Sequence, residues 1–158
     1  MADNIYKRNR KVMFLIDFFM DMIPPTSTHQ QRGCTMVNGK LRYYDRNNGD
    51  AEQKLTAYLS KHIPEKPFSG PLRVVTKWCF PIKAKHKDGE PYTNKPDADN
   101  ICKSLYDIMT KLSYWKDDKQ IYSSITEKFW AERPGIYVRI VQLRKVNRQV
   151  KGLQKVHN

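Results

Sequence analysis

The segment Asn100–Leu112 constrains the fold most, because its periodicity predicts an amphipathic helix with two very different faces. When Asp99 is set at 0° on a helical wheel, the apolar side chains fall between about 180° and 280°. These side chains are Ile101, Leu105, Ile108, Met109 and Leu112. Lys103 and Asp107 follow Asp99 at intervals of four residues and fall at about 40° and 80°. The apolar face must therefore pack on a second layer of structure, and the Asp–Lys face is expected on the surface.

Four segments predict the strands of that second layer. Lys11–Met20 is a hydrophobic run rich in Phe, Val and Ile, which is typical of a buried strand. Apolar residues alternate along Leu72–Phe80, so one face of this strand is expected to meet the core. Gln120–Trp130 and Ile136–Leu143 follow as two further strands, joined by a turn at Arg133–Gly135.

A hairpin and another helix are predicted between the first two strands. Asn38–Gly39, a strong hairpin signal, separates Thr35–Val37 from Leu41–Tyr43. Asp50 is expected to cap a helix that runs to about Ile63, just before a proline. The order is then strand, hairpin, helix, strand, helix, strand and strand. That order predicts an α+β fold with a mixed β-sheet and helices packed on one face.

The whole chain, residues 1–158, is expected to be a single domain. Its 158 residues and 39% hydrophobic content are enough for one buried core. A short basic extension is expected at residues 1–11, and a basic tail without any acidic residue at residues 144–158.

A strongly basic composition points to a polyanionic partner. Lys and Arg number 29 against 16 Asp and Glu, which gives a formal net charge of +13. Such an excess is typical of proteins that bind nucleic acid or an anionic membrane surface. The most apolar stretch, Val12–Ile23, is too short to span a bilayer and contains Asp17 and Asp21, which also break a signal-peptide pattern. A cytoplasmic protein with no membrane partner is therefore expected.

Acidic residues cluster where a nucleic-acid-binding protein should avoid them. Five of the 16 acidic residues lie in one short span: Asp97, Asp99, Asp107, Asp117 and Asp118. Carboxylates repel phosphate unless a cation lies between them, and Mg²⁺ is a cation that prefers the oxygen ligands of both. The cluster therefore predicts a Mg²⁺ site. The three cysteines and four histidines have no metal-ligand spacing, so zinc is not expected, nor is a small-molecule cofactor.

An ordinary alternative is a solvated helix face. In that case Asp99 caps the helix and Lys103 forms ion pairs with Asp99 or Asp107, which are common and weak interactions. Two features count against this alternative. Asp117 and Asp118 are adjacent in a predicted turn, a costly arrangement without a counter-ion, and the flanking sequence is basic on both sides.

The acidic residues belong to a longer ordered series. It comprises K-P-D-A-D-N-I-C-K starting at Lys95, L-Y-D ending at Asp107, Y-W-K-D-D-K-Q-I starting at Tyr114, and finally Lys128. This series resembles the RusA-type Holliday junction resolvases, which are bacterial and phage endonucleases that cut four-way DNA junctions. No catalytic position of the motif departs from the family pattern.

The resemblance implies Mg²⁺-dependent phosphodiester hydrolysis by a homodimer. It implies that the metal is held by Asp97, Asp99 and Asp118. It also implies that Lys103 is catalytic. Motif positions with supporting roles are Asn100, Asp107, Asp117, Gln120 and Lys128. Since a four-way junction has two-fold symmetry, paired nicks require two active sites, as a symmetric dimer would provide.

Basic residues beside the acidic motif are expected to form the DNA-binding surface. They are Lys83, Lys85, Lys87 and Lys95, joined by Arg42 in the hairpin. Their contacts with phosphates would make affinity depend strongly on salt. Tyr43, Tyr44 and Tyr92 are candidates for stacking on bases opened at the crossover.

Two alternative functions remain open from the residues alone. A nuclease of broader specificity would cut flaps, forks or plain duplex with the same metal chemistry. A non-catalytic DNA-binding protein would bind junctions without regard to Mg²⁺ and release no product. A basic RNA-binding protein is disfavoured, since it gains nothing from the ordered acidic spacing.

Overall fold

A computed structural model describes residues 12–26, 32–45, 49–83 and 85–143. The strands are β1 Val12–Met20, β2 Arg32–Val37, β3 Lys40–Asp45, β4 Leu72–Pro81, β5 Ile121–Ala131 and β6 Gly135–Leu143. The helices are α1 Gly49–Leu59 and α2 Ala98–Lys111, with short 3-10 helices at Ser60–His62 and Asp118–Gln120. The predicted extension 1–11 and tail 144–158 lie outside the described residues. Within the described ranges, the helices lack the length and hydropathy needed to cross a bilayer.

Four of the strands form one mixed sheet in the order β1-β6-β4-β5. The pairs β1–β6 and β4–β6 are antiparallel, whereas β4 and β5 run parallel. The parallel pair follows from the chain path, because α2 crosses between β4 and β5. The strands β2 and β3 form a separate two-stranded sheet. The predicted mixed α+β fold is confirmed.

One face of the mixed sheet forms the core. Along β4 the burial alternates, so that Val74, Thr76 and Trp78 are inaccessible to solvent. Their neighbours on the other face, such as Lys77 of β4 and Arg139 of β6, are exposed. This alternation is that of a sheet with one covered and one open face.

Both helices cover the same face of the sheet. The apolar side of α2 is buried through Ile101, Leu105 and Met109, as the helical wheel predicts. The 3-10 helix after α1 stacks His62 on Phe18 of β1, with ring centroids 4.2 Å apart. The prediction of helices on one face is therefore confirmed.

The starts of both helices differ from the sequence prediction. Helix α1 begins at Gly49, so Asp50 lies in its first turn rather than at the cap. Its regular part ends at Leu59, and the 3-10 helix carries the chain on to His62. Helix α2 begins at Ala98, two residues earlier than predicted. Carboxylates are favoured at a cap and in the first turn alike, which is why sequence alone misplaces the boundary.

Candidate functional site

Helix α2 begins directly after Asp97. The carbonyl oxygen of Asp97 accepts the Ile101 N–H at 3.2 Å, and the Asp97 backbone is extended. Asp97 therefore occupies the N-cap position, but its side chain makes no capping hydrogen bond. Asp99 is not the cap of α2, as the solvated-face alternative supposes, because it already lies in the first helical turn. Both carboxylates are exposed and stand at the positive end of the helix dipole.

A row of polar side chains continues along the exposed face of α2. Asp99, Lys103 and Asp107, which we call the α2 polar row, follow one another at four-residue intervals and are all exposed. From Asp99 to Asp107 the row extends about 12 Å along the helix axis. Within the described part of the chain, Lys103 forms no ion pair with either carboxylate, and Asp97 forms none. The ion pairs that a merely solvated helix face predicts are therefore missing.

The second acidic element is the 3-10 helix Asp118–Gln120, which packs beside α2. Asp117 caps it by accepting the Lys119 N–H at 2.9 Å, and it forms an ion pair with the Lys119 ammonium at 2.8 Å. The hydrogen bonds and the charge of Lys119 lower the pKa of the Asp117 carboxyl. Asp117 thus has a structural partner, whereas the adjacent Asp118 is an exposed residue of the turn itself.

Gln120 fixes this turn to the rest of the domain. Its side-chain oxygen accepts the N–H groups of Lys116 and Asp117 at 3.1 and 3.3 Å. Its side-chain nitrogen donates to the carbonyls of Phe68 and Gly70 at 2.9 and 3.2 Å, just before β4. The Gln120 side chain therefore links the turn that carries Asp118 to the segment before β4.

An open cavity of about 400 Å³ joins the two acidic elements. It is lined by Asp107, Thr110, Lys111, Lys116, Asp117 and Asp118. Asp118 and Asp107 therefore line the same cavity, whereas Asp97 and Asp99 lie at the N-terminal end of α2. In the described ranges, no group of three or more Asp, Glu, His or Cys side chains could hold one metal ion. The predicted ligands Asp97, Asp99 and Asp118 are not assembled into one cage.

The donor set nevertheless fits a hard divalent cation. Asp97, Asp99 and Asp107 are exposed carboxylates, and none of them has an ion-pair partner among the described residues. Mg²⁺ is usually held by one or two carboxylates, with water and substrate phosphate completing its coordination. A cage of three protein ligands is therefore not a requirement for this ion.

Lys128 of β5 supports the segment that leads into α2. Its ammonium donates to the carbonyls of Asn94 and Pro96 at 2.9 and 2.8 Å, so it holds the residue directly before Asp97. The Lys128 ammonium also lies 5.4 Å from the centroid of the Tyr92 ring. Tyr92 itself is buried, stacks on Phe80 and donates its hydroxyl to the Lys95 carbonyl. Tyr92 is consequently unable to stack on DNA bases, and that expectation is wrong.

A polar network on the buried side of α2 was missed by the sequence analysis. The Cys102 thiol contacts the Thr126 hydroxyl, which in turn lies 3.2 Å from the Thr76 hydroxyl. The Tyr106 and Ser124 hydroxyls lie 2.7 Å apart. These contacts fix the rotation of α2 over the sheet, and thereby the outward direction of the α2 polar row. Cys102 and Tyr106, which lie between the apolar stripe and the polar row on the helical wheel, were the available signal. Asn100, the remaining motif residue, is half-buried in the first turn.

The predicted basic surface is exposed where the structure describes it. Lys83, Lys85, Lys87 and Lys95 are all exposed, and so is Arg42 in the β2–β3 hairpin. The loop that carries the first three is anchored, because the His86 ring stacks on Trp130 at 4.2 Å and contacts the Glu90 carboxylate at 2.9 Å. The side chains of Tyr43 and Tyr44 lie outside the described residues.

Fold and site together define a class of protein. A basic α+β domain with exposed carboxylates, and with a lysine unpaired within the described ranges, is suited to handling a polyanion with the help of divalent cations. The chain belongs to the RusA family of endodeoxyribonucleases: the family model described as endodeoxyribonuclease RusA matches residues 23–141. The match includes both acidic elements and Lys128.

Two relatives extend this finding beyond the motif. The chain is 36% identical over 132 residues to the crossover junction endodeoxyribonuclease RusA of Lactococcus phage r1t. That alignment covers 82% of this chain and 98% of the phage protein. The chain is also 30% identical over 128 residues to the uncharacterized protein YqaN of Bacillus subtilis strain 168. This second alignment covers 73% of this chain and 89% of the relative.

Proposed function

We propose that this protein is a Mg²⁺-dependent Holliday junction resolvase that cuts four-way DNA by paired phosphodiester hydrolysis. One observation carries the proposal: the α2 polar row holds two carboxylates and a lysine that have no ion-pair partner among the described residues, on the surface of a chain with a net charge of +13. Membership of the RusA family and similarity to a phage crossover junction endodeoxyribonuclease support it. The protein would act on recombining DNA in the cytoplasm of a bacterial or phage-infected cell.

Asp97, Asp99 and Asp118 are the proposed metal ligands. They occupy the motif positions that the resemblance to RusA-type resolvases assigns to the metal, and all three carboxylates are exposed. Bound Mg²⁺ supplies Lewis-acid polarisation of the scissile phosphate and a more acidic water. Because Asp118 stands apart from Asp97 and Asp99, the bound DNA phosphate is expected to complete the coordination.

Lys103 is the proposed catalytic lysine. Its ammonium is exposed between Asp99 and Asp107, one helical turn from each, and without an ion pair to either. A cation placed there stabilises the extra negative charge that develops on the phosphate during hydrolysis. Asp107 would orient the Lys103 ammonium as the charge develops.

The exposed lysines supply the DNA contacts of the proposal. Lys83, Lys85 and Lys87 precede the acidic motif in a loop that is anchored through His86, and Lys95 adjoins Asp97. Contacts of this type bind phosphate without reading sequence. Symmetric cutting of a four-way junction requires two such sites, so the active form is proposed to be a homodimer.

Cleavage of a labelled synthetic four-way junction tests this function. Linear duplex, flap and fork substrates of the same sequence are incubated in parallel, each with Mg²⁺ and with EDTA. The expected result is a pair of symmetric nicks in the junction alone, lost with EDTA and reduced about a hundredfold or more in Asp99→Asn. Equal cutting of flaps and forks would instead identify a broader branched-DNA nuclease. Junction binding without any product would identify a non-catalytic DNA-binding protein.

A further inference from the structure

The β2–β3 hairpin exposes apolar side chains at its tip. Its two strands pair only with each other among the described strands, and Asn38 and Gly39 close it with positive φ angles of 51° and 74°. This is the turn geometry that matches the twist of a two-residue hairpin. Met36 is 65% exposed, Leu41 52% and Val37 40%. Large apolar side chains exposed this closely together mark a surface that contacts a partner.

The register of the hairpin places the Met36–Leu41 pair on one face, and Val37 with two cations on the other. Met36 lies opposite Leu41, so the two form a cross-strand pair on one face. Lys40 lies opposite Val37, and by the alternation of the strand Arg42 shares the face of Lys40. The hairpin therefore presents the apolar pair on one side and the two cations on the other.

The charge of the hairpin selects the kind of partner. The sequence contains no acidic residue from Met22 to Tyr44, and both described cations of the tip are exposed. Lys40 and Arg42 are complementary in charge to a polyanion. The partner must therefore be negatively charged and must also expose apolar surface. DNA at a branch point meets both requirements, because base stacking is interrupted there.

We propose that the hairpin is a branch-point wedge for the DNA substrate, an inference that rests on the proposed function. Met36 and Leu41 insert between base pairs at the crossover, while Lys40 and Arg42 contact the flanking phosphates. Apolar wedges of this type unstack a base step and favour DNA that is already distorted. The wedge would therefore help the protein to distinguish a junction from plain duplex.

The test uses the full chain in an Asp99→Asn background, so that DNA is bound in Mg²⁺ without being cut. A four-way junction carries 2-aminopurine, a base whose fluorescence rises on unstacking, at the crossover. The wedge variant is Met36→Ser with Leu41→Ser. The control variant is Ile23→Ser with Ile63→Ser, which removes two exposed apolar side chains elsewhere. Circular dichroism and light scattering report the fold and the oligomeric state of each protein.

The wedge variant is expected to abolish the rise in fluorescence and to weaken junction binding about tenfold, with duplex binding unchanged. The control variant should match its parent in all three measurements. An unchanged fluorescence signal and junction affinity in a folded wedge variant would overturn the inference while leaving the nuclease proposal intact. A change of oligomeric state in the wedge variant would assign the apolar pair to a second copy, which also overturns it. Wild-type protein that neither binds nor cuts branched DNA would overturn the proposed function, and the wedge with it.

Discussion

Lys103 lies between two carboxylates on α2 and pairs with neither in the structure. An ammonium in that position, with no ion-pair partner among the described residues, is available to a phosphate. Replacement by Met keeps the length of the side chain and removes its charge. We expect Lys103→Met to cut a four-way junction about a hundredfold more slowly under single-turnover conditions, with junction affinity nearly unchanged.

The matched control for this substitution is Lys54→Met, an exposed lysine of α1. It removes the same charge from a helix on the same sheet face, away from the motif. Equal losses of rate in the two variants would mean that total charge matters and that Lys103 has no particular role.

We expect Lys128 to act at a distance from the phosphate, through the backbone before Asp97. Because its ammonium satisfies the carbonyls of Asn94 and Pro96, Lys128→Met should lower the free energy of unfolding by about 1 to 2 kcal/mol. It should also raise the Mg²⁺ concentration needed for half-maximal cleavage, since Asp97 is no longer held. Urea unfolding and a Mg²⁺ titration of the cleavage rate measure the two effects.

Lys77→Met serves as the control for Lys128, because Lys77 lies on the neighbouring strand and forms an exposed ion pair with Glu127 at 3.4 Å. Surface pairs of this kind contribute little to stability. A Lys128 variant that loses stability but keeps the wild-type Mg²⁺ dependence would show that Lys128 stabilises the fold without positioning Asp97.

At the scale of the elements, the 3-10 helix Asp118–Gln120 depends on an ionised cap. Lys119 lowers the pKa of Asp117, so this carboxylate stabilises the folded state above its ordinary pKa, and the contribution is lost as the pH falls through the lowered value. We expect Asp117→Asn to be less stable than the wild type at neutral pH. The difference should shrink as the pH falls below about 4. Thermal unfolding of both proteins across this pH range provides the measurement.

Asp107→Asn is a suitable comparison, since the Asp107 carboxylate lines the same cavity and has no ion-pair partner among the described residues. A stability difference for Asp117→Asn that stays constant from neutral to acid pH would contradict the role of the ionised cap.

The sequence predicts these elements well where one periodicity dominates. The alternation along Leu72–Phe80 and the stripe on Asn100–Leu112 both correspond to observed elements within two residues at each end. Helix starts are less predictable, because Asp50, Asp97 and Asp99 are all plausible caps by residue type. The hydrogen bond from the Ile101 N–H to the Asp97 carbonyl makes Asp97 the N-cap of α2, and the sequence pattern does not indicate this bond.

The site is only partly predictable for a related reason. Spacing alone places Asp99, Lys103 and Asp107 on one exposed face of α2, as observed. The supports of the site are contacts over long separations, such as Gln120 with the Phe68 carbonyl and Lys128 with the Pro96 carbonyl. Any polar side chain can meet any carbonyl, so no local pattern encodes these partners. The distance from Asp99 to Asp118 is likewise set by how α2 and the 3-10 helix pack.

At the scale of the whole molecule, electrostatics should dominate DNA affinity. Each phosphate contact lowers the slope of log affinity against log salt by about 0.9 on duplex DNA. Replacing Lys83, Lys85 and Lys87 by Gln should therefore make the slope shallower by about 2 to 3. Fluorescence anisotropy of a labelled junction at several salt concentrations measures this slope.

The control removes three exposed lysines elsewhere, namely Lys54, Lys61 and Lys66, and keeps the net charge of the two variants equal. An identical change of slope in both variants would contradict a localised DNA-binding surface beside the acidic motif.

We propose that the acidic motif of this basic domain performs paired, metal-dependent cutting of four-way DNA. The most direct measurement is digestion of a supercoiled plasmid that extrudes a cruciform from an inverted repeat, followed on a gel. Two symmetric nicks within one binding event convert the circle to a linear product, whereas unpaired nicks give an open circle. We predict linear product in Mg²⁺ only, absent with Asp99→Asn and absent from a plasmid without the repeat. Open circles alone, or equal cutting of both plasmids, would contradict the claim.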